Sequence, residues 1–263
     1  MSALGSRILV AVALLPIVLG VVYLGGWWLA ALATVGGLLA LHELYTMGRS
    51  LRPIVLAGFL GLALTVLTAH GGGLAWLLGG IMATVGACFL LFLGGGARQH
   101  ATSGFALTTL GVVWVGGGLA HLVAIRDIPD DGLLLLVTVL LTVFADDTGA
   151  YTVGRMIGRH RLAPSISPGK SWEGFLGGTL AGVAVAFFSL YDQDVLTIGE
   201  SLVFGLAICL ASTLGDLFES AVKRDLGVKD SGRMLGGHGG VLDRVDSLLW
   251  AGPAAFYALL LLT

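Results

Sequence analysis

Long apolar runs dominate this chain, separated by short breaks of glycine, proline or charge. Nine runs approach the length that crosses a bilayer, about 20 mainly apolar residues. They lie near 8–24, 27–43, 53–69, 74–93, 104–125, 132–150, 173–190, 199–215 and 247–262. The breaks read GGW, MGRSLRP, HGGG, GGGARQH, RDIPDD, the stretch 151–172, YDQD and a charged segment at 216–246. The pattern predicts an all-α polytopic membrane protein with about nine transmembrane helices. Arg7 precedes the first run, as in a secretory signal, but no small-x-small cleavage site follows and GGWW leads into the next run. The run is therefore read as a retained helix. Glycines within the runs read as close helix–helix contacts, because helices in lipid cohere over small residues.

Composition agrees with this pattern. Hydrophobic residues make up 56% of the 263 and charged residues only 11%, where a soluble domain carries about 25% charged. Cys88 and Cys209 stand singly inside apolar runs without CxxC spacing, which excludes a disulfide framework and a zinc site. Charge placement adds an orientation. With the N-terminus in the cytoplasm and nine crossings, 13 of the 14 Lys and Arg residues fall inside and only Arg126 falls outside, as the positive-inside rule requires. The C-terminus is then expected outside. No internal repeat emerges, and the polar chemistry crowds into the second half. The chain is expected to form one membrane domain, 1–263, with 1–131 mainly scaffold and 132–263 the catalytic half.

Three polar features meet at the cytoplasmic face in this topology. The first is FADDTGAYTVGR, where Asp146 and Asp147 end the sixth run. Carboxylates at membrane depth are costly and persist when they bind a cation, pair with a base or face water; simple solvation at the helix end is the alternative. The second is SISPGKSWEG, Ser165 to Gly174. It is not a P-loop, because Pro164 stands where that motif needs glycine and no buried strand precedes it. Ser167, Lys170, Ser171 and the amides opening the seventh helix still suit a phosphate. Glu173 is also placed to cap that helix, and Lys170 to act as an orientation signal.

The third feature holds eleven charged residues between Asp216 and Asp246. Asp216, Glu219, Ser220 and Lys223 fall at i, i+3, i+4 and i+7, one face of a helix if the eighth run continues. Asp243, Asp246 and Ser247 repeat the spacing where the ninth begins. Such hard oxygen ligands suit Mg²⁺ shared with substrate phosphates. Lys223, Arg224, Lys229 and Arg233 lie between, and GGHGG allows close backbone approach to a ligand. Together they describe a polyphosphate site with its metal; a basic loop holding anionic headgroups is the plainer alternative.

The segment SAVKRDLGVKDSGRMLGGHGGVLDRVD, Ser220 to Asp246, resembles the diagnostic motif of the phosphatidate cytidylyltransferase (CDP-diacylglycerol synthase) family. Every element is met, and FADDTGAY and SPGKSWEG resemble the accessory motifs in the expected order, with Ser171 where many members have threonine. The resemblance implies an inner-membrane enzyme of bacteria, active at the cytoplasmic face and dimeric. It would convert CTP and phosphatidate to CDP-diacylglycerol and pyrophosphate with Mg²⁺ and, in one version of the site, a second, monovalent cation. By matched position, Asp216 and Asp243 are the expected metal ligands, with Asp147 and Asp246 in support. Lys223, Arg224 and His238 join them as catalytic residues. Ser167, Lys170, Ser171, Ser220, Lys229, Arg233, Gly239, Gly240 and Arg244 are the expected substrate-binding set. The partners implied are CTP, phosphatidate, membrane lipids and a second copy of the chain, with no nucleic acid. A cytidylyltransferase for another lipid phosphate, such as a prenyl-glycerol phosphate, is the same-class alternative. A secondary transporter is disfavoured because no polar chain crosses the membrane.

Overall fold

The computed structural model describes residues 15–95, 101–232, 234 and 239–263. Eight of its helices are long and apolar enough to cross a membrane. In lipid, backbone N–H and C=O groups must be satisfied within the segment, which leaves the helix as the answer for each apolar run. Ahead of the eight comes α1, Leu15–Leu24, a shorter apolar helix. The remainder of the expected first span, residues 8–14, lies outside the described residues.

The described chain groups into two compact units. The first contains Met1–Asp127 and Leu226–Val245. Its spans are α2 (Gly26–Met47), α3 (Val55–Gly73), α4 (Leu77–Gly94) and α5 (Ala101–Arg126). The break expected at HGGG is a kink in which His70 is extended and Gly71 and Gly73 take positive φ. Within α5, Val112–Gly116 forms a π-helical turn. Leu41, Leu44, Leu62, Val66, Val112, Val115 and Ile125 form a core with no more than traces of exposed surface. The Tyr45 hydroxyl donates to the Thr108 carbonyl at 2.9 Å, tying α2 to α5. Arg126 donates to the carbonyls of Val22 and Tyr23 at 2.9 Å each, satisfying acceptors at the end of α1.

The second unit contains Ile128–Asp225 and Asp246–Thr263. It holds α6 (Gly132–Ile157), α7 (Trp172–Leu190), α8 (Ile198–Asp225) and all but the first turn of α9 (Leu242–Leu262). Two of these helices outrun their apolar sequence: α6 continues past 150 and α8 past 215. Between α6 and α7 the chain forms a hairpin of β1 (Arg161–Ala163) and β2 (Ser167–Ser171), with Arg161 opposite Ser171 and Ala163 opposite Ser167. The hairpin is tied to α7. Trp172 N–H donates to the His160 carbonyl at 2.9 Å, and the Glu173 carboxylate accepts the Arg159 and His160 amides and meets His160 Nδ1 at 2.6 Å. Glu173 thus holds the hairpin instead of capping α7; the cap is Ser171, whose Oγ accepts Gly174 N–H at 3.1 Å.

Gly174 and Gly178, spaced four apart, pack α7 on α6 within the chain. A Cβ on Gly178 would lie 2.5 Å from the Asp146 carbonyl oxygen and 2.8 Å from Ala150 Cβ. Backbone therefore rests almost on backbone, at the level where α6 carries Asp146 and Asp147.

Candidate active site

In the second unit, the hairpin, α6, α8 and α9 each contribute polar side chains. Lys170, near the end of β2, pairs with Asp216 of α8 at 2.8 Å, both side chains being part exposed. Because α8 continues to Asp225, Asp216, Glu219, Ser220 and Lys223 do share one helical face. Ser220 Oγ donates to Asp216 Oδ1 at 3.3 Å, and Lys223 Nζ donates to Glu219 Oε2 at 2.5 Å. Glu219 is 1% exposed, so this pair is screened from water far better than Lys170–Asp216.

Around Asp216 lie two further carboxylates. Asp147 of α6 and Asp246 of α9 are each close enough to interact with it directly by charge. Glu219 also neighbours Asp246. Asp146, the other half of the pair in FADD, is 2% exposed and faces the buried Ser212, while still within charge range of Asp147 and Lys170. Arg224 Nε donates to the Ile166 carbonyl at 3.4 Å, placing that guanidinium against the hairpin turn. Ser167 is half-buried at the start of β2, whereas Ser171 is buried with its hydroxyl committed to the cap. Two amides at the start of α7, those of Trp172 and Gly174, already have partners. That helix end thus offers an anion less than the sequence suggests.

The rest of the motif belongs to the first unit. Asp243 opens α9 and accepts the Ser231 amide at 3.2 Å on both oxygens and the Gly240 amide at 2.8 Å. Gly239 sits at φ +82, backbone that favours glycine. Lys229 and Arg244 are exposed. Arg233 and His238 lie outside the described residues.

The same unit contains an acid that the motif pattern does not include. Glu43, near the end of α2, is 3% exposed. Its Oε2 accepts Leu242 N–H at 2.9 Å and the Ser231 hydroxyl at 3.1 Å. The sequence reading passed over it; the one signal available was a lone glutamate at the edge of an apolar run, since intramembrane acids are rare and directed inward.

These features define a mostly helical integral membrane protein, with one short β-hairpin, whose carboxylates and cations gather where its helices pass beyond their apolar runs. The family model of the cytidylyltransferase family matches residues 5–262. The phosphatidate cytidylyltransferase of Staphylococcus haemolyticus is 36% identical over 251 residues, 94% of this chain and 95% of its own length. That of Mycobacterium bovis is 34% identical over 255 residues, 89% of this chain and 81% of its own. That of Haemophilus influenzae is 46% identical over 134 residues, 49% of this chain. The chain belongs to the cytidylyltransferase family.

Proposed function

We propose that this protein transfers CMP from CTP to phosphatidate, giving CDP-diacylglycerol and pyrophosphate, in the inner membrane of a bacterium with the site on the cytoplasmic side. The observation that carries this reading is the end-to-end likeness to an enzyme named for that activity, 36% identity across 94% of this chain. The local chemistry supports it. A phosphate oxygen of phosphatidate forms the new bond to the α-phosphorus of CTP. The bond from that phosphorus to the bridging oxygen breaks, and pyrophosphate leaves with the electron pair. The nucleophile is already anionic near neutral pH, so the protein's work is to hold two polyanions in line and offset their charge. Lys170 supplies positive charge at Asp216, and Lys223 and Arg224 supply more further along α8, at Glu219 and the hairpin turn. Ser220 offers a hydroxyl to Asp216, and Ser167 offers another at the start of β2.

Magnesium suits this donor set. Among the described residues no three His, Cys, Asp or Glu side chains form a ready-made metal cage. Mg²⁺ commonly takes one or two carboxylates and completes its shell with water and substrate phosphates. Asp216, with Asp246 and Asp147 in charge contact, would hold such an ion, which offsets the charge of the phosphates. Asp243 remains a candidate ligand by its place in the motif.

Purified protein in detergent, supplied with labelled CTP, phosphatidate and Mg²⁺, is expected to form CDP-diacylglycerol and pyrophosphate in equal amounts and to stop when EDTA is added. Turnover that survives EDTA would remove the metal from the reading, and no product from phosphatidate would remove the reaction.

A further inference from the structure

Two segments of the first unit, far apart in sequence, are stitched together by one buried carboxylate. Glu43 Oε2 accepts the backbone N–H of Leu242 at 2.9 Å and the Ser231 hydroxyl at 3.1 Å. Ser231 in turn gives its own N–H to Asp243, which also accepts from Gly240. Ser231 and Gly240 are thereby held together by two acids, Glu43 from α2 and Asp243 from α9. The fit is tight. A Cβ on Gly232 would lie 2.5 Å from Glu43 Oε1, and one on Gly240 would collide with Glu43 Oε2 and with Ser231 Oγ. Small residues at both positions are what the Glu43 carboxylate requires.

Packing alone does not explain a glutamate here. Residue 43 is 3% exposed, and Oε1 is buried without a hydrogen-bond partner among the described residues. Burying a carboxylate is unfavourable unless its bonds are good, and apolar residues of similar volume are often at least as stabilising. What the carboxylate adds is direction. It fixes the amide of the residue just before Asp243, and with it the angle at which α9 starts.

We propose that Glu43 is a positioning residue, pinning Ser231 and Leu242 so that Asp243 at the start of α9 is held in working geometry. The reading of Asp243 as part of a CMP-transfer site rests on the proposed function; the pinning itself does not.

The test compares the full-length protein in detergent with E43Q and E43D. Glutamine keeps an oxygen in place for both donors, whereas aspartate is shorter by one methylene and cannot reach them. Hydrogen–deuterium exchange of the peptide spanning 229–245 is expected to be about tenfold faster in E43D and near wild type in E43Q, with exchange in the rest of α2 unchanged. Turnover is expected to fall about 10- to 100-fold in E43D, mostly in kcat, and to stay within about fivefold of wild type in E43Q. If E43D does not fold, S231A removes one of the two donors and is expected to raise exchange at 229–245 by a smaller factor. Unchanged exchange at 229–245 in the variant measured, or equal effects of E43D and E43Q, would overturn the proposal. A wild-type protein inactive on phosphatidate would count against the proposed reaction and leave the exchange comparison to decide the role of Glu43.

Discussion

Lys170 and Asp216 form the contact on which most of the proposed chemistry turns. Part-exposed ion pairs of this kind contribute about 1 kcal/mol or less to stability, so the 2.8 Å pair matters chiefly for where it leaves its two charges. Asp216→Asn keeps an oxygen facing Lys170 and Ser220 but removes the negative charge. It is expected to lower kcat for CMP transfer at least about 100-fold while the melting temperature in detergent shifts little. A variant with near-wild-type turnover would mean that Asp216 holds no metal. The site residues most legible in the sequence were those at helical spacing, Asp216, Glu219, Ser220 and Lys223, because spacing alone places them on one face. Glu43 and the Glu173–His160 contact were not legible: their partners lie 188 and 13 residues away, and no local pattern links them.

At the scale of elements, the apolar runs located the spans because a bilayer imposes length and hydropathy together. Where polar sequence continues a helix, those rules are silent. The last turns of α6 and α8 were therefore missed by a reading that stopped with the apolar residues, although the spacing on α8 anticipated its continuation. The β1–β2 hairpin was hidden for a different reason. Residues 161–171 lack the alternation that marks a strand, and it is the tie from Glu173 to Arg159 and His160 that holds the turn. The seam of α7 on α6 gives an independent check. Gly178→Ala pushes a methyl toward the Asp146 carbonyl, a form of overpacking that costs about 1–3 kcal/mol. Thermal unfolding in detergent should register that loss. An unshifted transition would show that the two helices have room to part.

For the whole molecule, the first unit groups Met1–Asp127 with Leu226–Val245, a stretch that holds part of the motif. Orientation is open to a direct measurement. A reporter fused after Thr263 is expected to behave as non-cytoplasmic; cytoplasmic activity would mean one crossing fewer or more than nine. The overrun of α8 has one more consequence. At about 1.5 Å of rise per residue, the face from Asp216 to Lys223 is about 10 Å tall. The headgroup layer on one side of a bilayer is about 5–7 Å deep. The polar stripe that begins where the apolar run stops is thus taller than the boundary zone between oil and water. On the proposed reaction, a stripe of that height would bridge the zone, so that a lipid could keep its tails in the bilayer and a nucleotide stay in water while their phosphates meet along a single helix.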